Sequence, residues 1–296
     1  MIEHHRFSYE LSNIRVNAHS SFSTTNALRL QIEKMTINAG DWIYMVGVNG
    51  SGKSTLARLL AGLYIEGADG YIDRGFAGEL TSPIVLQQAD AQLFGETPRE
   101  EVQFALEWLR VSAARLPEMI ELALERTGLL HLADEPWERL SGGQRQLAVI
   151  AAATAGEGAT PFLVLDEATA MLDEHHRGRV MEVVEQLHRQ GTTVVWVTQR
   201  LDELVPDRRV VALSDGQIVY DGETRDFLFG DRMLELSPCE RSGIRMPYLA
   251  SMAIQLRRQG QLEDPLPVTL IEWRKVLGDI GVTRQSRESA ISETTI

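Results

Sequence analysis

The segment "GVNGSGKST", which runs from Gly47 to Thr55, has the residue types and the spacing of a phosphate-binding loop. It matches the pattern G-x-x-x-x-G-K-[S/T] and lies after a strand-like run and before a helical pattern, which is the context that such a loop requires. Its glycines allow backbone N–H groups to face phosphate oxygens, Lys53 reaches the β and γ phosphates, and the Ser54 hydroxyl suits Mg²⁺. A Gly-rich turn with an accidental lysine is the weaker interpretation. The nucleotide contacts expected from the loop are Gly47, Asn49, Gly50, Ser51, Gly52, Lys53, Ser54 and Thr55.

Two carboxylates follow the apolar run "FLVL" and would complete such a site. Asp166 ends the run and is suited to hold Mg²⁺, and Glu167 is placed to polarise an attacking water molecule. By itself, Glu167 is equally well interpreted as an ordinary loop carboxylate. In a chain that also has the phosphate-binding loop, the pair favours nucleotide hydrolysis over binding alone.

A third motif, "LSGGQ", occupies Leu140 to Gln144 and leads into the apolar helical pattern "RQLAVIAAATA". Small residues ahead of a helix leave the N–H groups of its first turn accessible, and the helix dipole favours an anion there. The motif therefore predicts a second anion site outside the phosphate-binding loop. Its expected contacts are Ser141, Gly142, Gly143 and Gln144.

Strand and helix patterns place these motifs on an α/β scaffold. Residues 1–46 carry strand-like runs separated by the polar stretch "NAHSSFSTTNA", which indicates a loop or hairpin excursion. Apolar residues at helical spacing predict a helix from Lys53, and residues 97–137 form a helical block that opens with an N-cap, a proline and a glutamate at Thr97–Glu100. A strand, a Gly-rich turn and a helix in this order begin a nucleotide-binding βα unit.

The second half of the chain continues this alternation. "FLVLDEA" is typical of a strand that is buried on both faces, a helical pattern follows it, and "TTVVWV" predicts the next strand. Ligands of open α/β sheets lie beyond the carboxyl ends of parallel strands, so Gln199, where this strand stops, is a further candidate site residue. Asp215 and Gly216 predict the turn of a hairpin.

The C-terminal part changes character after about Phe227. An amphipathic pattern around Met252 and a capping box at Thr269–Glu272 predict two short helices, which form either a dimerisation element or a lid on the main domain. We predict a main domain at 1–226 with a helical subdomain at about 90–160, a C-terminal extension at 227–296, and a disordered tail after about 283.

Composition argues against several other classes of protein. The chain has 296 residues and a formal net charge of −13, which disfavours nucleic-acid binding because phosphate backbones require clustered Lys and Arg. The single cysteine, Cys239, excludes an intrachain disulfide and suits a reducing compartment. No run is long and apolar enough to span a bilayer, and the N-terminus lacks a signal-peptide pattern, so we expect a cytosolic, soluble chain.

The order of the motifs resembles that of ATP-binding cassette (ABC) ATPases over about residues 1–225. The phosphate-binding loop, Gln87 in "IVLQQ", the signature "LSGGQ", "LVLDE", and Asp173 in "AMLD" follow the order of the family. The resemblance implies an α/β P-loop NTPase cassette with a mixed sheet core, an N-terminal antiparallel β subdomain and an inserted helical subdomain, here followed by a small C-terminal helical extension. It also implies ATP hydrolysis with Mg²⁺.

This resemblance implies roles for further residues. Two cassettes face head to tail in the family, so that ATP on Lys53 of one is closed over by the signature of the other. Gln87 would sense Mg²⁺ and the attacking water, and Asp173 would act across the dimer. An early aromatic residue would stack on adenine, and Tyr9 is our candidate because a flat π face suits a purine. A strand residue that packs on the sheet is the alternative interpretation of Tyr9.

A narrower resemblance to the ATPase subunits of energy-coupling factor (ECF) transporters rests on "QQADAQLFGETPREEVQFAL" and on the C-terminal segments "SGIRMPYLASMAIQLRRQG" and "LPVTLIEW". These ATPases drive the import of vitamins or transition metal ions through a membrane T component and a substrate-binding S component. The family pattern after the glutamine is Gln-Asn-Pro-Asp-Asn-Gln, whereas this chain has Gln-Gln-Ala-Asp-Ala-Gln from Gln87 to Gln92. The resemblance implies a peripheral subunit on the cytoplasmic face of the membrane.

Gln199 departs from the ABC pattern, which usually has a histidine after "VT" that contacts the γ-phosphate. A glutamine amide can donate a hydrogen bond to phosphate, but it carries no positive charge and cannot transfer a proton. We therefore predict slow hydrolysis at the site of Lys53 and a heterodimer with a second ATPase that retains the histidine.

Two other interpretations remain open at this point. A mainly regulatory ATP-binding subunit is consistent with Gln199. A non-transport ABC ATPase is disfavoured, because types that act on DNA need a long coiled coil before the signature and ribosome-acting types have tandem cassettes.

Overall fold

The computed structural model describes residues 8–18, 27–156, 158, 160–230 and 236–278. The contacts divide the chain into two compact units. The first contains the described residues up to Gln199 together with Val211–Val219, and the second contains Arg200–Val210 and the described residues from Tyr220 onwards. The domain boundary expected at 226/227 stays a prediction.

The described strands form two sheets. Their bounds are β1 (Ser8–Ala18), β2 (Ala27–Asn38), β3 (Trp42–Gly47), β4 (Ala68–Asp73), β5 (Ile84–Leu86), β6 (Phe162–Asp166), β7 (Thr193–Val197), β8 (Arg209–Ser214) and β9 (Gln217–Glu223). A three-stranded sheet has the order β2-β1-β4, and a six-stranded sheet has the order β5-β6-β7-β3-β8-β9. The three-stranded sheet is antiparallel. The six-stranded sheet contains the parallel strands β3, β5, β6 and β7, and the predicted site residues lie at or just after the ends of these strands.

The parallel strands are buried on both faces, as their apolar sequences predict. All residues of β3, β6 and β7 are buried. A hydrophobic core cluster lies between the antiparallel sheet, the first helix and the six-stranded sheet, and it joins Leu11, Ile32, Leu56 and Val195 with their neighbours. The cluster therefore packs α1, the helix that begins at Lys53, against both sheets.

Two turns match the sequence interpretation. Strands β1 and β2 pair in antiparallel fashion on either side of the polar stretch, whose residues 19–26 lie outside the described part of the chain. Asp215 and Gly216 join β8 to β9 with φ of 49° and 76°, and two successive positive φ values define the tight turns that suit hairpins.

The described helices agree with the predicted starts. Their bounds are α1 (Lys53–Leu60), α2 (Pro98–Trp108), α3 (Leu116–Thr127), α4 (Gly142–Ala153), α5 (Glu174–Arg189), α6 (Thr224–Phe229), α7 (Pro238–Arg241) and α8 (Tyr248–Arg258), and residues 270–278 are also helical. Thr97 caps α2 by accepting a hydrogen bond from the backbone N–H of Glu100. Helix α5 buries Val180, Val183 and Val184, which is the face expected from the sequence. No described helix is long and apolar enough to cross a membrane.

The second unit is held together around Arg225. Its guanidinium pairs with Glu272 and donates to the carbonyl of Leu266. Burial acts to raise the pKa of Glu272, but hydrogen bonds from the backbone N–H of Val268 and from Arg225 outweigh it and lower that pKa. Glu272 also closes the predicted capping box with Thr269. The tail predicted after residue 283 lies outside the described residues.

Candidate functional site

The register of the parallel strands brings the predicted motifs to one edge of the six-stranded sheet. Leu86 of β5 is opposite Asp166 of β6, Asp166 is opposite Val197 of β7, and Val197 is opposite Met45 of β3. The residues that follow these strand ends therefore lie side by side, at the edge where open α/β sheets bind ligands. They are Gln87, Glu167, Thr198 with Gln199, and the loop that starts at Gly47.

The phosphate-binding loop is shaped for an anion. Helix α1 begins after Gly52, whose φ of 101° is open to glycine, and no side chain caps the helix. The N–H groups of the first turn are therefore available to a phosphate. Lys53 is 4% exposed, and its Nζ donates to the carbonyl oxygens of Gly47 (2.9 Å) and Val48 (3.1 Å). Burial lowers the pKa of Lys53, and the charges of Glu167 and Asp166 oppose that shift.

Ser51 supplies an independent indication of a ligand. Its side chain is buried inside the loop, and its Oγ has no hydrogen-bond partner. Leaving a buried hydroxyl unpaired costs free energy, whereas a phosphate oxygen would satisfy it. The loop of this chain therefore fits the phosphates of a nucleotide.

The donor set beside the loop suits Mg²⁺. Ser54 Oγ donates to Asp166 Oδ1 at 3.1 Å, so these two hard oxygen donors from α1 and β6 meet at one point. Burial raises the pKa of Asp166, and the hydrogen bond from Ser54 acts in the opposite direction. Described residues include no group of three or more His, Cys, Asp and Glu that could hold a metal ion. Mg²⁺ in nucleotide sites needs only one or two protein ligands besides the phosphates.

Glu167 and Gln199 are in direct contact. Gln199 Nε2 donates to Glu167 Oε1 at 2.5 Å, and the same oxygen lies 3.9 Å from Lys53 Nζ. Glu167 has a φ of 53°, which is uncommon for a residue with a side chain, and its N–H donates to the carbonyl of Val197 at 3.0 Å. Strained backbone of this kind persists where the surroundings fix it, and it often marks functional residues.

Gln87 is exposed directly after β5, and two glutamines that sequence reasoning missed hold that strand in place. Gln92 accepts from Leu86 N (2.6 Å) and donates to Ile84 O (2.8 Å), so it satisfies backbone groups on the outer side of an edge strand. Gln146 of α4 is 1% exposed and donates to Leu86 O at 2.9 Å. A polar residue within the apolar pattern of α4 was the available signal for Gln146.

The signature forms the start of α4. Ser141 is its N-cap, and its side chain and that of Gln144 form a reciprocal capping box. Gly142 is exposed and Gly143 is buried. The hydroxyl of Ser141 also lies 3.0 Å from His176 Nε2, and the other ring nitrogen of His176 lies 2.8 Å from Asp173 Oδ2. Asp173 caps α5, and sequence analysis did not select His176.

The prediction that Tyr9 stacks on adenine is wrong. Tyr9 is 0% exposed, its ring packs 5.6 Å from that of Phe162, and its hydroxyl donates to Leu59 O at 3.3 Å. Burial raises its pKa to about 12. The guanidinium of Arg74 lies over the ring at 5.6 Å, so the buried ring packs within the protein and the alternative interpretation as a packing residue is correct.

Comparison with known proteins identifies the family. The model of the ABC transporter family matches residues 30–170. The energy-coupling factor transporter ATP-binding protein EcfA1 of Leuconostoc mesenteroides is 34% identical over 236 residues, which are 76% of this chain and 84% of that protein. The protein of the same name from Latilactobacillus sakei is 31% identical over 272 residues, which are 88% of this chain and 93% of that protein. The chain belongs to the energy-coupling factor transporter ATP-binding proteins.

Solved structures support the same assignment of the fold. The cbiO1 protein of Clostridium perfringens, part of the ABC transporter complex cbiONQ, has a TM-score of 0.62 and 26% identity, with 82% of this chain and 97% of that chain covered. A metal-chelate type ABC transporter in an inward-facing conformation has a TM-score of 0.59 and 27% identity, with 75% of this chain and 85% of that chain covered. The predicted ABC cassette and the predicted enzyme class, an ABC ATPase, are therefore confirmed. The roles of individual site residues stay predictions.

Proposed function

We propose that this energy-coupling factor ATPase binds and hydrolyses ATP on the cytoplasmic face of the membrane and so drives import of a vitamin or a transition metal ion. The observation that carries the proposal is the convergence of Lys53, Ser54, Asp166 and Glu167 at one sheet edge, beside a loop with an unpartnered Ser51 hydroxyl. The transported substrate would contact the S component and the T component rather than this chain.

Binding would use charges and dipoles that are already in place. The N–H groups at the start of α1 and the ammonium of Lys53 would face the phosphates, and Ser51 Oγ would donate to a phosphate oxygen. Ser54, Asp166 and the exposed Gln87 would hold Mg²⁺. When bound, Mg²⁺ would neutralise developing charge on the phosphates. The groups are fixed before ATP arrives, so little reorganisation is needed.

Glu167 would act on the attacking water, and Gln199 would limit that step. The amide of Gln199 donates to the carboxylate oxygen that faces Lys53, so a water molecule has to compete with the amide for the same oxygen. A glutamine also brings no positive charge to the γ-phosphate. Both effects favour slow hydrolysis at this chain's own nucleotide.

A second ATPase subunit would complete both nucleotide sites. ATP on Lys53 would be closed over by the signature of the partner, and Ser141, Gly142 and Gly143 of this chain would close over the ATP of the partner. Because Gln199 slows one of the two sites, a heterodimer with a more active partner is favoured over a homodimer. Asp173 would act across this dimer, and cycles of closing and opening would move the T component.

Uptake into membrane vesicles tests the transport function. The chain would be purified from membranes together with its bound partners, reconstituted, and assayed with labelled vitamins and divalent transition metal ions. We expect ATP-dependent uptake of one of them, and we expect Lys53→Ala to lower ATP binding to this chain more than tenfold. The transport proposal would be contradicted if Lys53→Ala lowers ATP binding as expected but the parent complex takes up no substrate of the panel in an ATP-dependent manner.

The Gln199 hypothesis needs an assay that isolates one site. In the complex, Ser141→Arg blocks the site of the partner and leaves hydrolysis at Lys53 as the residual rate. In this background we expect Gln199→His to raise the residual rate about tenfold, which corresponds to ~1.4 kcal/mol of activation free energy. Adding Glu167→Gln should remove the gain. An unchanged rate would mean that Gln199 does not limit hydrolysis.

A mainly regulatory ATP-binding subunit is the second candidate, and the hydrogen bond from Gln199 to Glu167 favours it. In that case the chain binds ATP as tightly as an active cassette but contributes no turnover, even with Gln199→His. The same experiment therefore separates the two candidates.

A further inference from the structure

Three polar residues form one continuous chain of hydrogen bonds between the signature and the start of α5. Ser141 Oγ lies 3.0 Å from His176 Nε2, and His176 Nδ1 lies 2.8 Å from Asp173 Oδ2. Ser141 is the N-cap of α4, and Asp173 is the N-cap of α5. His176 therefore links two segments that are far apart in sequence and that both belong to the proposed dimer interface.

The direction of each hydrogen bond follows from the chemistry of the partners. A carboxylate only accepts, so neutral His176 carries its proton on Nδ1 and donates it to Asp173. Nε2 is then an acceptor, and the hydroxyl of Ser141 donates to it. The oxygen of Ser141 in turn accepts from the backbone N–H of Gln144 at 3.2 Å. The hydroxyl is thus held in one orientation from both sides.

The ring of His176 also fills the space above Gly143. A Cβ on Gly143 would lie 2.2 Å from Cδ2 and 2.3 Å from Cγ of the ring, which is far inside van der Waals contact. A Cβ on Gly142 would meet nothing within 4 Å. The second glycine of the signature is therefore required by the histidine of the same chain, whereas the first one faces open space.

We infer that His176 is a positioning residue that fixes the hydroxyl of Ser141 for contact with the ATP of the partner cassette, and that Asp173 fixes the imidazole. The inference rests on the proposed function, since it assumes that the signature closes over a nucleotide in trans. Asp173 and Ser141 then move as one unit, because the ring of His176 joins them. A change at one segment is transmitted to the other without a change in α4 itself.

Three substitutions of His176 separate hydrogen bonding from packing. His176→Phe keeps a flat ring against Gly143 but removes both nitrogen atoms. His176→Gln retains an amide that can reach Ser141, and His176→Ala removes ring and hydrogen bonds together. His131→Gln, at an exposed position outside α4 and α5, is the matched control, because the ring of His175 contacts that of His176 at 5.5 Å.

The kinetic readout is the ATPase activity of the assembled complex in a Glu167→Gln background, which silences this chain's own site. We expect His176→Phe and His176→Ala to raise KM for ATP about fivefold to tenfold with kcat within about twofold, and His176→Gln and His131→Gln to stay near the parent. A loss of kcat without a change in KM would indicate damage to folding and would overturn the inference. An unchanged KM in His176→Phe would overturn it as well. In a Ser141→Ala background, His176→Phe should have no additional effect.

A spectroscopic readout tests the hydrogen-bond chain without ATP. The full chain, labelled with ¹⁵N at histidine, is measured at pH 8 by long-range ¹⁵N–¹H correlation, and His176 is assigned from the signals lost in His176→Gln. We expect the Nδ1–H tautomer and a displaced Nε2 resonance in Ser141→Ala. A dominant Nε2–H tautomer would overturn the inference whatever the ATPase shows. Absence of ATPase activity in the parent complex, with the expected tautomer present, would instead count against the proposed function.

Discussion

At the scale of single residues, an unpaired polar atom is as informative as a paired one. Ser51 is buried in the phosphate-binding loop and its Oγ has no hydrogen-bond partner, whereas Ser82, which is also buried, accepts a hydrogen bond from Arg74 at 2.7 Å. A phosphate oxygen bound in the loop would relieve the free-energy cost of the unpaired Ser51 hydroxyl. For this reason we expect the two serines to respond differently to substitution by alanine.

We expect Ser51→Ala to leave the free energy of unfolding unchanged or to raise it by about 1 kcal/mol, and to weaken ATP binding about fivefold to tenfold. Ser82→Ala should lower the free energy of unfolding, because it removes the hydroxyl that accepts from Arg74. It should leave ATP binding unchanged. Urea unfolding and calorimetric titration of the full chain with MgATP measure both quantities. Equal ATP affinity in Ser51→Ala and the parent would contradict the assigned role of the hydroxyl.

At the scale of elements, the helical block is tied to the sheet edge at the strand that carries Gln87. Gln146 of α4 donates to Leu86 O, and Arg145 on the same helix pairs with Asp90 at 2.7 Å. The helix that begins with the signature thus reaches the segment that follows β5. A displacement of the helical block would therefore shift the position of Gln87 through these contacts.

We expect Gln146→Leu to destabilise the chain by about 0.5–1.5 kcal/mol, because it removes the hydrogen bond from the buried Gln146 amide to Leu86 O. The ATPase rate of the assembled complex should fall as Gln87 loses its anchor. Gln186→Leu, on the exposed face of α5, is the matched control and should change stability by less than about 0.5 kcal/mol. A Gln146→Leu protein with normal stability and normal turnover would show that the hydrogen bond from α4 to β5 contributes neither to stability nor to activity.

The capping residues of these helices were predictable, but the contacts between distant elements were not. Thr97, Asp173 and Thr269 lie at helix starts for reasons that are local in sequence. Gln146 gains its role from strand β5, which is about sixty residues away from it in sequence. Tyr9 shows the same limit, because an aromatic residue in a strand can face either a ligand or the core.

At the scale of the whole molecule, the proposed function makes the two nucleotide sites unequal. One site would use Lys53 and Glu167 of this chain and would be slowed by Gln199. The other would use Ser141 of this chain and the phosphate-binding loop of a more active partner. The contribution of this chain to turnover would then come mainly from its signature.

We expect Ser141→Arg to lower the steady-state ATPase rate of the complex at least tenfold, because bulk and charge at the helix start exclude the nucleotide of the partner. Glu167→Gln should lower it less than twofold, because the site it affects is already slow. Both variants are compared in the complex purified with its partners. The reverse order of effects would contradict the unequal-site proposal and would favour a homodimer.

The sequence by itself determined the phosphate-binding loop, the carboxylate pair and the signature, because each depends on residues that are neighbours in the chain. It also placed Glu167 and Gln199 at the ends of predicted strands, whereas Gln87 followed from the family resemblance and its place at the same edge came from the register of β5. Only the tertiary structure decided that Tyr9 is covered, that Gln199 contacts Glu167, and that His176 joins Ser141 to Asp173. The physical reason is that burial and side-chain pairing depend on which distant elements pack together, and local patterns do not specify those partners.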